Sequence, residues 1–283
     1  MTRDEILTKL NDDMQLRGLS ETTRHHYTRQ ARIFQNFFEK PADQLGIPEI
    51  QQFLLHLARD KKLANGSINA YNSTLRFLYG VTLDTPLNLW HVPRLKQNRA
   101  LPKLPTEEEV RLILANAPNL MYKAMFMTIY GSGLRISEAL NLKVSDVDSR
   151  KMRLFISQGK GGKDRFATLS LNCLNVLREY WKEYKPTDYL FLSRLKKPPT
   201  RRAANDAFHK AIKQAGIKKH ATLHTLRHCF ATHLLNNDTN LFHIKSLLGH
   251  ATIRSTAWYL HYNQGNAFKV QSPLDSYNGK QNG

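Results

Sequence analysis

Through the first third of the chain, apolar residues recur at steps of three and four, the period of an amphipathic helix. Tyr27, Ala31, Phe34 and Phe38 form one such stripe; Ser20, just before Glu21, can cap that helix, and Pro41 ends it. Pro48 stands near the start of a second helix whose inward positions are Ile50, Phe53, Leu54 and Leu57. A third, from about Ser67 to Tyr79, turns Ile68, Tyr71, Leu75 and Leu78 inward. The pattern predicts a bundle of three or four helices over residues 1–92. Periodicity then stops: Arg94, Lys96, Arg99 and Lys103 follow Pro93 with no acid among them, and Pro102 and Pro105 stiffen the stretch. Residues 93–105 read as an extended basic linker.

The next helical pattern opens with Thr106 and, three positions on, Glu109, a capping box followed by Val110, Leu112, Ile113 and Leu114. A second domain therefore begins at residue 106. After a helix from about Tyr122 to Tyr130, the sequence Gly131, Ser132, Gly133 predicts a break before Leu134, Arg135, Ile136 and Ser137 resume a helical pattern. Period-two alternation at Met152, Leu154 and Ile156 predicts one arm of an antiparallel hairpin, with Phe166, Thr168 and their neighbours as the other arm and Gly159, Lys160, Gly161 and Gly162 as its turn. From Leu171 to about Tyr262 the pattern is helical again. This second domain runs to residue 264, and residues 265–283, rich in Gly, Asn, Ser and Gln, read as a tail in which Ala267, Phe268 and Val270 form a small apolar group. The fold class expected is mainly α with a small antiparallel β element, in two domains.

Length is consistent with that division, since 283 residues exceed what one small core organises. Charge adds more: 42 Lys and Arg against 23 Asp and Glu leave +19, which calls for a polyanionic partner. The excess is spread over both halves. From Arg194 to Lys219 it includes Lys196, Lys197, Arg201, Arg202, Lys210, Lys213 and Lys218, interrupting apolar positions as a folded surface would. Cys173 and Cys229 match no paired ligand spacing and read as reduced thiols. No apolar run is long enough to span a bilayer, and the acidic, polar start is unlike a signal peptide, so a cytosolic protein with no membrane partner is expected.

Four short segments carry residues suited to a phosphodiester. Gly131 to Leu142 places Arg135 and Glu138 three apart, on one face if helical, although such a pair also makes an ordinary salt bridge. His224 and Arg227 repeat the spacing. Leu248, Gly249 and His250 close a helix with a glycine cap. Tyr259 follows nine residues after His250, on a helix expected to be capped by Thr252. His224 with His228, and His228 with His233, have spacings that could hold a metal, but the Glu of a zinc protease is missing, and His228 and His233 read as structural or DNA-facing. The Gly159–Lys163 stretch is not a nucleotide-binding loop, because Asp164 stands where Ser or Thr is required.

In the order R, K, H-x-x-R, L-G-H, Y, these segments resemble the tyrosine recombinase family, also called the phage integrase family. The resemblance covers nearly the whole chain. It implies a C-shaped clamp made of a helical core-binding domain and a mixed α/β catalytic domain, acting on double-stranded DNA as a homotetramer on two paired sites. It further implies that Tyr259 is the nucleophile, leaving a 3′-phosphotyrosyl linkage and a free 5′-hydroxyl, and that strands are exchanged through a Holliday junction. Arg135 and Arg227 would clamp the nonbridging oxygens, and His250 would donate a hydrogen bond to them. His224 would accept the phenolic proton or bond the phosphate. Lys160 would protonate the leaving oxygen, with Lys163 as a rival, and Glu138 would orient its neighbours. Tyr262 is a rival nucleophile three residues on. Neither metal nor ATP is needed, and no cofactor is expected, because arginines supply the charge and the phosphotyrosyl bond conserves the energy of the broken one. A type IB topoisomerase and a non-catalytic DNA-binding protein are the competing readings.

Overall fold

The computed structural model describes residues 1–85, 91–96, 103–157, 164–193 and 196–262. Lys160, Lys163, the glycine-rich turn around them, Arg99, Arg194 and the tail after Tyr262 lie outside these. The chain divides into two compact units, residues 1–100 and 101–283.

The N-terminal unit has four α-helices among its described residues: α1 (Arg3–Leu16), α2 (Glu21–Phe38), α3 (Ile47–Arg59) and α4 (Asn65–Phe77). The first was not expected as a separate element, yet its signals are local. Thr2 accepts a hydrogen bond from the Glu5 amide while Glu5 accepts one from the Thr2 amide, and Ile6, Leu7, Leu10 and Met14 are buried. Ser20 caps α2 as expected. Phe34 sits at the centre, edge-on to Phe53 at 5.3 Å and to Tyr79 at 6.3 Å. Each such ring contributes about 2 to 3 kcal/mol by leaving water. The expected third helix ends two residues early, at Phe77, and continues as a wider turn over Leu78–Thr82.

A polar stripe on α4 fixes the following segment. Asn65 donates to the Lys96 carbonyl, Asn69 brackets Leu95, Asn72 donates to the carbonyls of Val92 and Pro93, and Arg76 also reaches Val92. These four positions share one helical face. The first residues of the basic stretch are thus tied to the bundle, their carbonyls satisfied by side chains.

The C-terminal unit comprises α5 (Glu107–Ala115), α6 (Leu120–Ser132), α7 (Ile136–Asn141), β1 (Val147–Asp148), β2 (Arg153–Ile156), β3 (Arg165–Thr168), α8 (Leu171–Tyr184), α9 (Arg201–Gln214), α10 (Leu223–Asn236), α11 (Leu241–Leu248) and α12 (Arg254–Ala257), with a 3₁₀ turn over Trp258–Tyr262. The Thr106 and Glu109 capping box starts α5 as expected. Helix α6 is apolar nearly all round, with Met121, Ala124, Met125, Phe126 and Ile129 buried, and it packs against α8 and α10 as the core's central element. The charged run is partitioned by period: α9 buries Ala204, Ala207, Phe208, Ala211 and Ile212 and leaves Arg201, Arg202, Lys210 and Lys213 exposed, while Lys219 is taken up by Glu109.

The hairpin is the outer part of a three-stranded antiparallel sheet, order β1-β2-β3, with Leu154 opposite Ala167 and Phe155 opposite Phe166. Its inward residues are Leu154, Ile156 and Ala167; Phe166 is exposed, under the guanidinium of Arg153 at 3.9 Å. Strand β1, only two residues long, carries too little alternation to be read from sequence. The expected break at Gly131 and Ser132 is also corrected: both belong to the last turn of α6, and only Gly133 leaves the helix, at φ +62°. A side chain there is excluded twice over, since a Cβ would also lie 2.5 Å from the Phe230 ring.

Candidate active site

Glu138 is the hub on which the site is assembled. Arg135 and Glu138 do not share a helical face. Arg135 precedes α7 in extended conformation as its N-cap, and the Glu138 side chain reaches back to accept from the Arg135 amide at 2.8 Å and its guanidinium at 2.7 Å. Two further donors come from β3: Arg165 makes a two-pronged pair with both carboxylate oxygens, each at 2.8 Å. Arg227 stands 3.7 Å away. Burial alone would push the Glu138 carboxyl up, but hydrogen bonds from Arg165 and the Arg135 amide outweigh it and hold the group at about 2. One buried carboxylate therefore serves three guanidiniums.

Arg165 was missed by the sequence reading. Its third donor, Nε, reaches the Leu247 carbonyl at 3.1 Å, so it ties the hairpin both to α7 and to the end of α11. Gly249 makes this possible: it caps α11 at φ +62°, and a Cβ would lie 2.7 Å from Arg165 Cδ. No local pattern marks Arg165, because its partners lie elsewhere in the chain.

Arg227 rises from the second turn of α10 and is 1% exposed. Its Nη1 donates to the Gly133 carbonyl at 2.6 Å and its Nη2 to the Leu248 carbonyl at 2.7 Å. Burial and the neighbouring Arg135 lower its pKa to about 10, which leaves it charged at neutral pH. With five N–H groups on a guanidinium, donors remain for a ligand. His250 follows Gly249 and is oriented by Thr256, whose hydroxyl lies 2.9 Å from Nδ1.

Tyr259 is 2% exposed and sits in a small apolar cluster with Phe230, Ala231, Leu235, Ile244 and Leu248. It lies on the 3₁₀ turn after α12, so the helix expected to start at Thr252 and carry it is corrected. Thr252 spends its hydroxyl on Ser255 at 3.2 Å, and the helix spans only Arg254–Ala257 before tightening. The Tyr259 ring lies parallel to His250, 6.4 Å between centroids. Burial raises its pKa, while the positive charges of Arg227 and Arg135 pull it down. Tyr262 differs: it packs edge-on to Trp258 at 5.1 Å, and its raised pKa owes nothing to either arginine, the causes being burial and Cys229.

The three histidines of α10 separate clearly. His233 is buried and bonds the Tyr130 hydroxyl at 2.9 Å, a structural pairing. His224 is exposed and makes no hydrogen bond among the described residues; shielding of its ring and the guanidiniums of Arg227 and Arg135 lower its pKa. His228, read from sequence as structural or DNA-facing, has Nδ1 3.0 Å from the Tyr259 hydroxyl, a partner that the sequence did not point to. The signal available was its position one turn from His224 on the same helical face. Among the described residues no group of His, Cys, Asp and Glu forms a metal site, and none of their helices is long and apolar enough to cross a membrane.

Residues 103–266 match the phage integrase family, and residues 6–89 match the phage integrase N-terminal SAM-like domain. A protein of Sinorhizobium fredii named as an integrase/recombinase is 38% identical over 94% of this chain and 87% of its own. Tyrosine recombinase XerA of Pyrococcus horikoshii is 32% identical over 92% of this chain and 90% of its own. Among solved structures, a lambda integrase dimer bound to a core site superposes with a TM-score of 0.77 at 18% identity, covering 92% of this chain and 95% of that one. A crystal structure of XerA gives 0.56 at 26% identity, covering 94% and 96%.

Proposed function

The chain belongs to the phage integrase family and is a site-specific DNA recombinase; we propose that Tyr259 is its nucleophile and that Arg135 and Arg227 clamp the phosphoryl group it attacks. The observation that carries this reading is the arrangement around Glu138, which bonds Arg135 at 2.7 Å and stands 3.7 Å from Arg227, while Arg227 binds the Leu248 carbonyl two residues before His250, whose ring lies parallel to that of Tyr259. Attack of a phenol on a phosphodiester concentrates negative charge on two nonbridging oxygens, and prealigned guanidiniums stabilise that charge without reorganisation. His250, aligned by Thr256, and the exposed His224 add hydrogen bonds to the same oxygens. The Tyr259–phosphorus bond forms as the phosphorus–5′-oxygen bond breaks, and Lys160 supplies the proton to the departing oxygen. The reverse attack by a 5′-hydroxyl from another strand rejoins the DNA.

The protein binds DNA and acts as a DNA strand-transferase. We propose further that residues 1–92 grip the core site and residues 106–264 hold the chemistry, that four copies assemble on two paired sites, that strands pass through a Holliday junction, and that the protein works in the cytoplasm without metal or ATP. The topoisomerase and non-catalytic readings are not favoured, because the relatives that cover the chain are recombinases. The test is a suicide substrate nicked beside the cleavage point. Wild type should trap a covalent adduct, Tyr259→Phe none, and Tyr262→Phe most of the wild-type yield. An adduct surviving in Tyr259→Phe removes the assignment.

A further inference from the structure

Tyr259 needs a group to take its proton, and the side chain that hydrogen-bonds its hydroxyl is not one of the motif residues. His228 occupies that place, with Nδ1 3.0 Å from Oη. Its ring is fixed on three sides: His224 packs edge-on at 4.5 Å, Trp258 lies at 5.2 Å and Tyr259 itself at 5.6 Å. A side chain so confined presents one nitrogen in one direction. His224, one turn earlier on α10, is exposed and bonds nothing among the described residues.

We propose that His228 is a catalytic residue of strand cleavage, the hydrogen-bond and proton acceptor of the Tyr259 hydroxyl, and that His224 is left to the phosphoryl oxygens. This rests on the reading of Tyr259 as nucleophile. Burial and the nearby His224 and Arg227 push the His228 imidazole down to about 4, so it is neutral at physiological pH. In the tautomer protonated at Nε2, the neutral imidazole offers a lone pair at Nδ1 that accepts the phenolic O–H. During cleavage the O–H proton moves to Nδ1, Oη bonds to phosphorus, and the 5′-oxygen leaves with a proton from the general acid. The arriving phosphodiester, an anion, favours the imidazolium that forms. On rejoining, the proton returns from Nδ1 to the departing phenolate. Because the proton moves in concert with Oη–phosphorus bonding, when the phenol is most acidic, His228 is not required to deprotonate a free phenol.

Asparagine separates holding from proton transfer, because its Oδ1 falls near the position of Nδ1 and accepts the same hydrogen bond but is not basic. In single-turnover cleavage of the nicked suicide substrate, His228→Asn and His228→Ala should both slow adduct formation by about 10² to 10⁴-fold, with binding to the intact site retained. A 5′-bridging phosphorothiolate, which removes the need for an acid, should not restore either variant. Replacing Tyr259 by a fluorotyrosine of lower pKa should restore His228→Asn by tenfold or more, because a more acidic phenol depends less on a base; a purely positional defect would be indifferent to phenol acidity. Cleavage by His228→Asn within threefold of wild type, or no gain from the fluorotyrosine, overturns the proposal. An adduct formed by Tyr259→Phe would overturn the nucleophile reading instead, so the two failures are distinct.

Discussion

Replacing Glu138 with Gln preserves side-chain size but removes the charge and turns one acceptor oxygen into an NH2 donor that faces the arginines. In the native cluster the carboxylate accepts hydrogen bonds from Arg165, from the Arg135 amide and from the Arg135 guanidinium, with Arg227 3.7 Å away. The side chain is 6% exposed, so water cannot replace the lost charge. The carboxyl is held at about 2 against an ordinary 4.5, a gap equivalent to about 3 kcal/mol in favour of the ionised form. A neutral amide leaves Arg135, Arg165 and Arg227 without a counter-charge, and removing one partner of a buried pair costs about 3 to 5 kcal/mol. The sign with pH follows from the depressed value. The advantage of the wild type over Glu138→Gln is complete above about pH 4.5 and is lost as pH falls toward about 2. Denaturant titrations followed through Trp181 and Trp258, both in the C-terminal unit, in a Trp90→Phe background, measure the difference at about pH 7 and again at about pH 3. A gap under about 1 kcal/mol at neutral pH, or one that does not narrow in acid, would refute the hub role.

Three further outcomes are expected. Gly249→Ala should lose about 1 to 3 kcal/mol and slow cleavage more than it weakens DNA binding, because φ of +62° and the approach of Arg165 both exclude a Cβ; unchanged cleavage and melting would contradict this. Lys160→Ala should recover cleavage on a 5′-bridging phosphorothiolate substrate, since sulfur leaves without a proton, whereas recovery by Lys163→Ala alone would make Lys163 the acid. Adduct formation should proceed in EDTA without ATP, and strict dependence on added Mg²⁺ or Zn²⁺ would contradict the charge-stabilisation argument.

Much of the secondary structure was legible because its causes are local. Caps at Ser20 and Thr106 and the glycine stop at Gly249 act within one helical turn, and the inward stripes of α2 and α3 follow the 3.6-residue period. Where a local signal was short or ambiguous it misled. Gly131 lies inside α6 although glycine suggested a break, and Thr252 bonds Ser255 instead of starting a longer helix.

Motif order and spacing carried the family and the candidate residues Arg135, His224, Arg227, His250 and Tyr259, since each motif is a short run whose residue types suit phosphoryl chemistry. What holds them together was settled only by tertiary structure. Glu138 meets Arg165 across 27 positions, His228 meets Tyr259 across 31, and Arg227 meets the Gly133 carbonyl across 94. Separations of that size have no period in the sequence, because they are fixed by how the hairpin, α7, α10 and α11 pack. The sequence determined which groups are available; packing decided that one carboxylate orders three arginines and that a histidine with no motif of its own touches the tyrosine hydroxyl.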